Sequence, residues 1–180
     1  MYYIARFIFS IKGWKLYGQI PEGLKKCVII QAPHTSMLDF FIGWLASKIY
    51  RVKFRFIIKK EAFVFPISYF IKAMGGIPVD RAKSQGMVKQ IVNVFNKSNT
   101  LYLVITPEGT RNYTDKWKKG FYFIAQQANV PVLLSYIDYQ KKICGIGKQL
   151  EPTGNFEEDF KIIEDFYRGM KGKHPEKFNL

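Results

Sequence analysis

Histidine occurs twice in this chain, as His34 and His174. A general base working near neutral pH is most often a histidine, and a neighbouring carboxylate fixes its tautomer and steadies the imidazolium formed on proton uptake. His174 stands in a polar tail between Lys173 and Pro175, a poor setting for chemistry. His34 stands in Ala32-Pro33-His34-Thr35-Ser36-Met37-Leu38-Asp39, five residues before Asp39 with four between. Two residues five apart inside one helix point about 140° away from each other. The pair therefore works only if His34 lies on a loop and Asp39 in the first turn of the helix that follows. No serine nucleophile is needed in such a scheme, because a substrate hydroxyl can supply the proton. Ser36-x-x-Asp39 ahead of an apolar run also reads as a helix capping box, and His34 as a polar residue in a turn after Pro33.

Two further segments carry groups that suit an oxyanion. Thr106-Pro107-Glu108-Gly109-Thr110-Arg111 combines a tight turn with a guanidinium, and Gly75-Gly76-Ile77-Pro78-Val79-Asp80-Arg81 sets charge after a backbone break. Lys59, Lys60 and Glu61 follow an apolar run in the same manner. Taken singly, each reads first as an ordinary turn, a local ion pair or a solvated charge cluster.

The elements that must position these groups are written as short apolar runs alternating with helical patterns. Residues 27–32, 54–58, 77–79, 101–105 and 132–136 read as strands. Residues 37–50, 63–74, 83–97, 121–128 and 157–170 read as helices, the second interrupted early by Pro66. Strands separated by helices imply an α/β fold, one domain with a mostly parallel central sheet flanked by helices. Loops after strands are where such sheets build sites, and the three segments above fall there. Residues 1–26 read as an N-terminal membrane-associating helix and lead-in, 27–150 as the main unit, and 151–180 as an amphipathic helix with a polar, frayed tail.

The chain has 180 residues, enough for one core without disulfides. Cys27 and Cys144 sit in apolar runs and read as buried free thiols. Lys and Arg number 28 against 14 Asp and Glu, a net charge of +14, which calls for an anionic partner. Aromatics at 17% suit either single-stranded nucleic acid or a membrane interface. The basic residues are spread along the chain without an RNA-binding or helix-turn-helix signature, so nucleic acid is not the expected partner. Tyr3, Phe7 and Ile11 share a helical face, with Ile4 and Ile8 beside them. That face fits an interfacial helix, or a helix that caps the core. No apolar run is long enough to span a bilayer.

In order, His34-x4-Asp39, Gly76-Ile77-Pro78-Val79-Asp80-Arg81, Pro107-Glu108-Gly109-Thr110-Arg111 and Val130-Pro131-Val132 resemble the four blocks of the lysophospholipid/glycerol-phosphate acyltransferase family. The resemblance covers about residues 27–136. It implies that family's α/β fold and direct acyl transfer from acyl-CoA or acyl carrier protein to the hydroxyl of a lysophospholipid-like acceptor. By the same resemblance His34 is the base and Asp39 its orienting partner. Glu108, Gly109, Thr110 and Arg111 would line the acceptor site, Lys60 and Arg81 would help hold an anionic head group, and 130–132 would pack the acyl side. No bound cofactor or metal is implied. The resemblance also implies attachment to the cytoplasmic face of an anionic membrane, peripheral or monotopic, with acyl carrier protein a possible partner. Pro33 and Thr106 stand where many relatives carry Asn and Phe. The acceptor thus stays open between lysophosphatidate and another lysolipid, and a basic lipid- or nucleic-acid-binding module without catalysis is the competing reading.

Overall fold

The computed structural model describes residues 1–80 and 86–180 in full and the backbone of residues 84 and 85. The described residues form a seven-stranded sheet and six α-helices. Strands β1 (Lys15–Tyr17), β2 (Lys26–Ala32), β3 (Phe54–Lys59), β4 (Gly76–Val79), β5 (Leu101–Ile105), β6 (Val132–Asp138) and β7 (Ile143–Leu150) lie in the order β1-β7-β6-β2-β5-β3-β4. The five strands from β6 to β4 are parallel, and β7 runs antiparallel to β6 with β1 parallel to it. The helices are α1 (Tyr2–Ile11), α2 (Leu38–Ile49), α3 (Ile67–Met74), α4 (Ser84–Lys97), α5 (Gly120–Ala128) and α6 (Phe156–Tyr167).

The apolar run of β2 is buried on both faces, as the centre of a parallel sheet requires. Its alternation sorts the layers. Val28, Ile30 and Ala32 pack with Ile91 and Phe95 of α4, Phe121 and Ile124 of α5, and Ile163 and Tyr167 of α6. Cys27 and Ile29 face the opposite side, where Phe9 of α1 meets Ile42 and Ala46 of α2 in an adjoining cluster. Both cysteines are buried and free, and burial pushes each thiol up to about 12.

Three features depart from the sequence expectation. Strands β1 and β7 carry no clear apolar run. Glycine makes β7 possible: a β-carbon on Gly145 would strike the Tyr17 backbone, and one on Gly147 the Phe166 ring. Helix α3 begins only after Pro66, whose ring cannot occupy a helix interior, so residues 63–66 are outside it. The tail is not frayed: Gly172 is buried, residues Pro175–Lys177 form a 3-10 turn, and the Phe178 ring lies 6.3 Å from that of Trp117. Residues 1–26 thus supply a strand and 151–180 a packed helix, so all three segments build one core.

The sheet opens on the side that matters. Strand β3 pairs with β5 only over Phe54–Phe56 and with β4 over Phe56–Lys59. Beyond Phe56 it parts from β5, leaving a fork at the strands' C-terminal ends.

Candidate active site

His34 sits on the loop between β2 and α2, and Asp39 in the first turn of α2. His34 Nδ1 lies 3.2 Å from Asp39 Oδ2, close but not aligned as a hydrogen bond. Resting catalytic contacts are often loose in this way. Asp39 is buried and well supplied with donors. The backbone N–H groups of Thr35 and Ser36 each donate to Oδ2 at 2.9 Å, and the Tyr139 hydroxyl donates to Oδ1 at 2.6 Å. The contact from Ser36 N–H is the bond that a capping box places on its acid, so the helix-capping reading of Asp39 has its hydrogen bond. Burial, and then the bond to Asp39, hold the Tyr139 phenol well above its ordinary range, so it stays a donor.

Glu108 follows β5 and points inward, 2% exposed. Its Oε1 accepts the backbone N–H of His34 at 2.8 Å, and its Oε2 has no partner among the described residues. Burial pushes the carboxyl up to about 7; the His34 contacts pull the other way and the Asp39 charge adds to the rise. Glu108 therefore supports the histidine loop from behind and lines neither hollow described below. Gly109 turns the chain at φ +67°, and a β-carbon there would lie 2.7 Å from Lys118 Nζ, so the lysine stem packs across the glycine.

An apolar cavity of about 980 Å³ starts at His34 and Asp39. It runs beneath α2 along Phe40, Gly43, Trp44 and Ser47, over Phe54 and Phe56 of β3. Through the fork between β3 and β5, at Ile57 and Ile105, it reaches Met87 of α4 and Phe121 and Ile124 of α5. Lys118, Thr106, Pro107 and Gly109 line it near His34. A long apolar hollow ending at a base and a carboxylate fits a substrate with an alkyl chain and a reacting polar end.

Thr110 and Arg111 line a neighbouring polar hollow together with Thr35 and Ser36. Lys60 lines neither hollow; its Nζ holds Asp80 Oδ2 at 2.6 Å. Arg81 lies outside the described residues. Val130 and Val132 are buried in the core on the α5 side. Sequence reasoning missed Tyr139 and Lys118, and it set His174 aside as standing in a poor place for chemistry. The first two carry a usable signal, a polar ring just after a buried strand and a lysine just before the helix glycine Gly120, but neither signal says where the side chain lands. Among the described residues no group of His, Cys, Asp and Glu is placed to hold a metal ion.

Besides Met37, Leu38 and Phe41 at the start of α2, two segments expose apolar side chains. Helix α1 buries only Ala5 and Phe9 and leaves Tyr3 80% and Phe7 65% exposed. The segment before and within α3 exposes Val64, Phe65 (83%), Ile67, Tyr69 and Phe70. No helix among the described residues is long and apolar enough to cross a membrane.

Known proteins are similar to this chain in sequence and in fold. Over 119 residues, 61% of this chain, the sequence is 33% identical to the 1-acyl-sn-glycerol-3-phosphate acyltransferase of Saccharomyces cerevisiae, and the matched part spans 38% of the yeast protein. The fold is similar to the crystal structure of the 1-acyl-sn-glycerophosphate (LPA) acyltransferase, PlsC, from Thermotoga maritima, with a TM-score of 0.63, 20% identity, and coverage of 90% of this chain and 73% of that one. Residues 15–137, most of the chain and including both halves of the His34–Asp39 pair, match the family described as Acyltransferase, and the chain belongs to that family.

Proposed function

We propose that this chain is an O-acyltransferase that moves a fatty acyl group from a thioester, acyl-CoA or acyl carrier protein, to the hydroxyl of a lysophospholipid at an anionic membrane surface. The observation that carries the reading is the His34–Asp39 pair at the end of the apolar cavity. With Nδ1–H turned to the carboxylate, Nε2 takes the acceptor's hydroxyl proton. The alkoxide oxygen attacks the thioester carbonyl, and the tetrahedral intermediate collapses with loss of the thiolate. The imidazolium returns its proton to the thiolate, leaving an ester, a thiol and a neutral histidine. Lysophosphatidate, the acceptor named for both relatives, is the first acceptor to test. The exposed apolar faces of α1 and residues 64–70, on a chain of net charge +14, support docking on anionic lipid.

The test incubates the protein on anionic and neutral vesicles with palmitoyl-CoA or palmitoyl acyl carrier protein and a panel of lysolipids. Acylated product is expected from the wild-type chain, faster on anionic vesicles. His34→Ala is expected to lower the rate by about two to four orders of magnitude. An Ala variant as active as the wild type sinks the mechanism.

A further inference from the structure

Strand β2 is apolar through its centre, yet its last residue but one is Gln31. The alternation of the strand turns Gln31 to the same face as Cys27 and Ile29, the face that α1 and α2 cover. A polar side chain on that face must find partners. One is Ser135, its neighbour in register on β6, which is 6% exposed and donates its hydroxyl to Gln31 Oε1 at 2.7 Å. This bond orients the amide. Its acceptor end is occupied, while the donor end, Nε2, keeps only a stretched contact of 3.4 Å to the Ala32 carbonyl. The second N–H of Nε2 has no acceptor among the described residues.

Gln31 and Ser135 both line the apolar cavity that ends at His34 and Asp39. Gln31 and His34 are three residues apart, so their Cα atoms lie within about 11 Å of each other. A fixed amide with a spare N–H thus stands on the cavity floor at the reacting end. Acyl transfer creates a need there that the His34–Asp39 pair does not meet. When the acceptor oxygen attacks the thioester carbonyl carbon, the π electron pair moves onto the carbonyl oxygen and leaves it negative. In an apolar cavity such a charge needs a donor already aimed at it. Lys118 also lines the cavity, but it is exposed and carried on a flexible stem. The amide is held in advance.

We propose that Gln31 is the oxyanion donor of the transfer reaction, its Nε2–H bonding the negative oxygen of the tetrahedral intermediate while Ser135 holds the amide in place. The inference rests on the acyl-transfer reading. On collapse the oxygen's electron pair re-forms the carbonyl, the thiolate leaves and takes the imidazolium proton, and the amide has neither gained nor lost a proton.

The experiment measures steady-state transfer from palmitoyl-CoA to the best acceptor of the lysolipid panel for the wild type, Gln31→Leu, Gln31→Glu and Ser135→Ala. Gln31→Leu removes the donor and keeps a side chain of similar size. Its kcat is expected to fall about 100- to 1,000-fold with the KM for palmitoyl-CoA little changed, because the bond forms only as the charge develops. Gln31→Glu keeps an oxygen for the Ser135 hydroxyl and sets an acceptor where the donor stood; it should lose at least as much, and it carries the same test if the leucine variant does not fold. Ser135→Ala leaves the amide present but unheld and should lose less than either. Binding of S-hexadecyl-CoA, a thioether without a carbonyl, is read by tryptophan fluorescence, since Trp44 lines the cavity. It should be equal for the wild type and Gln31→Leu. Wild-type kcat in Gln31→Leu and Gln31→Glu, or a loss that appears only as a raised KM with weaker thioether binding, overturns the proposal. If transfer still depends on His34 in that case, the acyl-transfer reading stands. A wild-type chain that binds the thioether and transfers nothing fails that reading and this inference with it.

Discussion

Replacing Glu108 by Gln tests whether this carboxyl is the buried prop described above. The ordinary glutamate value is 4.5, and burial raises it here to about 7. Between those two pH values the folded chain keeps a proton that the unfolded chain has lost. Stability must then fall as pH rises through that window, by at most about 1.4 kcal/mol per pH unit and about 3 kcal/mol in all. Below the window the group is neutral in both states and costs nothing; above it the full cost is present. Glutamine keeps an oxygen to accept the His34 N–H and removes the charge. Urea unfolding of both proteins, followed by tryptophan fluorescence at pH 5 and pH 8.5, gives the stability difference at each pH. Contributions from other titrating groups cancel in that difference. The variant is expected to gain about 2 to 3 kcal/mol on the wild type between the two pH values. An unchanged difference would refute the claim that ionised Glu108 strains the folded state.

Tyr139→Phe removes the hydroxyl bonded to Asp39 Oδ1 and leaves the carboxylate with its backbone donors. It should cost about 1.5 to 3 kcal/mol in urea unfolding and slow acyl transfer roughly tenfold; full activity would show that Asp39 needs no second anchor. Gly43→Leu points into open cavity space, with nothing within 4 Å of the added β-carbon. It should raise helix stability by about 0.5 to 1 kcal/mol while shifting preference from palmitoyl to octanoyl donors, and unchanged chain preference would remove the acyl chain from beneath α2.

The parallel half of the fold was legible because its physics is local. Each of β2, β3, β5 and β6 is an apolar run bounded by breakers, and a helix of adequate length separates it from the next. Strands β1 and β7 were illegible for the opposite reason. Strand β1 is three residues long, and β7 carries Gly145 and Gly147 where the partner backbone and the Phe166 ring press closest. Glycine in a sequence signals a break; here it signals close approach, and only the partner reveals which. The site divides in the same manner. His34 and Asp39 could be found because one segment holds both. Tyr139 reaches Asp39 across 100 residues, and His174 reaches Thr35 across 139. Both contacts depend on where β6 ends and where the C-terminal residues return. Glu108 lies against the His34 loop, and its inward direction is set by the fold around the turn at Gly109, which composition does not show.

The capping and catalytic readings of Asp39 turn out to need each other. Two residues at this spacing diverge by about 140° on a helix, so something must bend the chain back. The bend is made by the donors of the cap. The N–H groups of Thr35 and Ser36 both close on Asp39 Oδ2, which wraps residues 34–36 around the carboxylate and brings the His34 ring to 3.2 Å from the same oxygen. Glu108 fixes the loop's other side through the His34 N–H, and the backbone N–H of His174 fixes Thr35 through its hydroxyl. A loop without the cap would leave the histidine free to swing. A cap without the histidine would be an ordinary helix start. The four-residue interval between His34 and Asp39 serves both, because the intervening N–H groups that satisfy the carboxylate are the ones that turn the ring toward it.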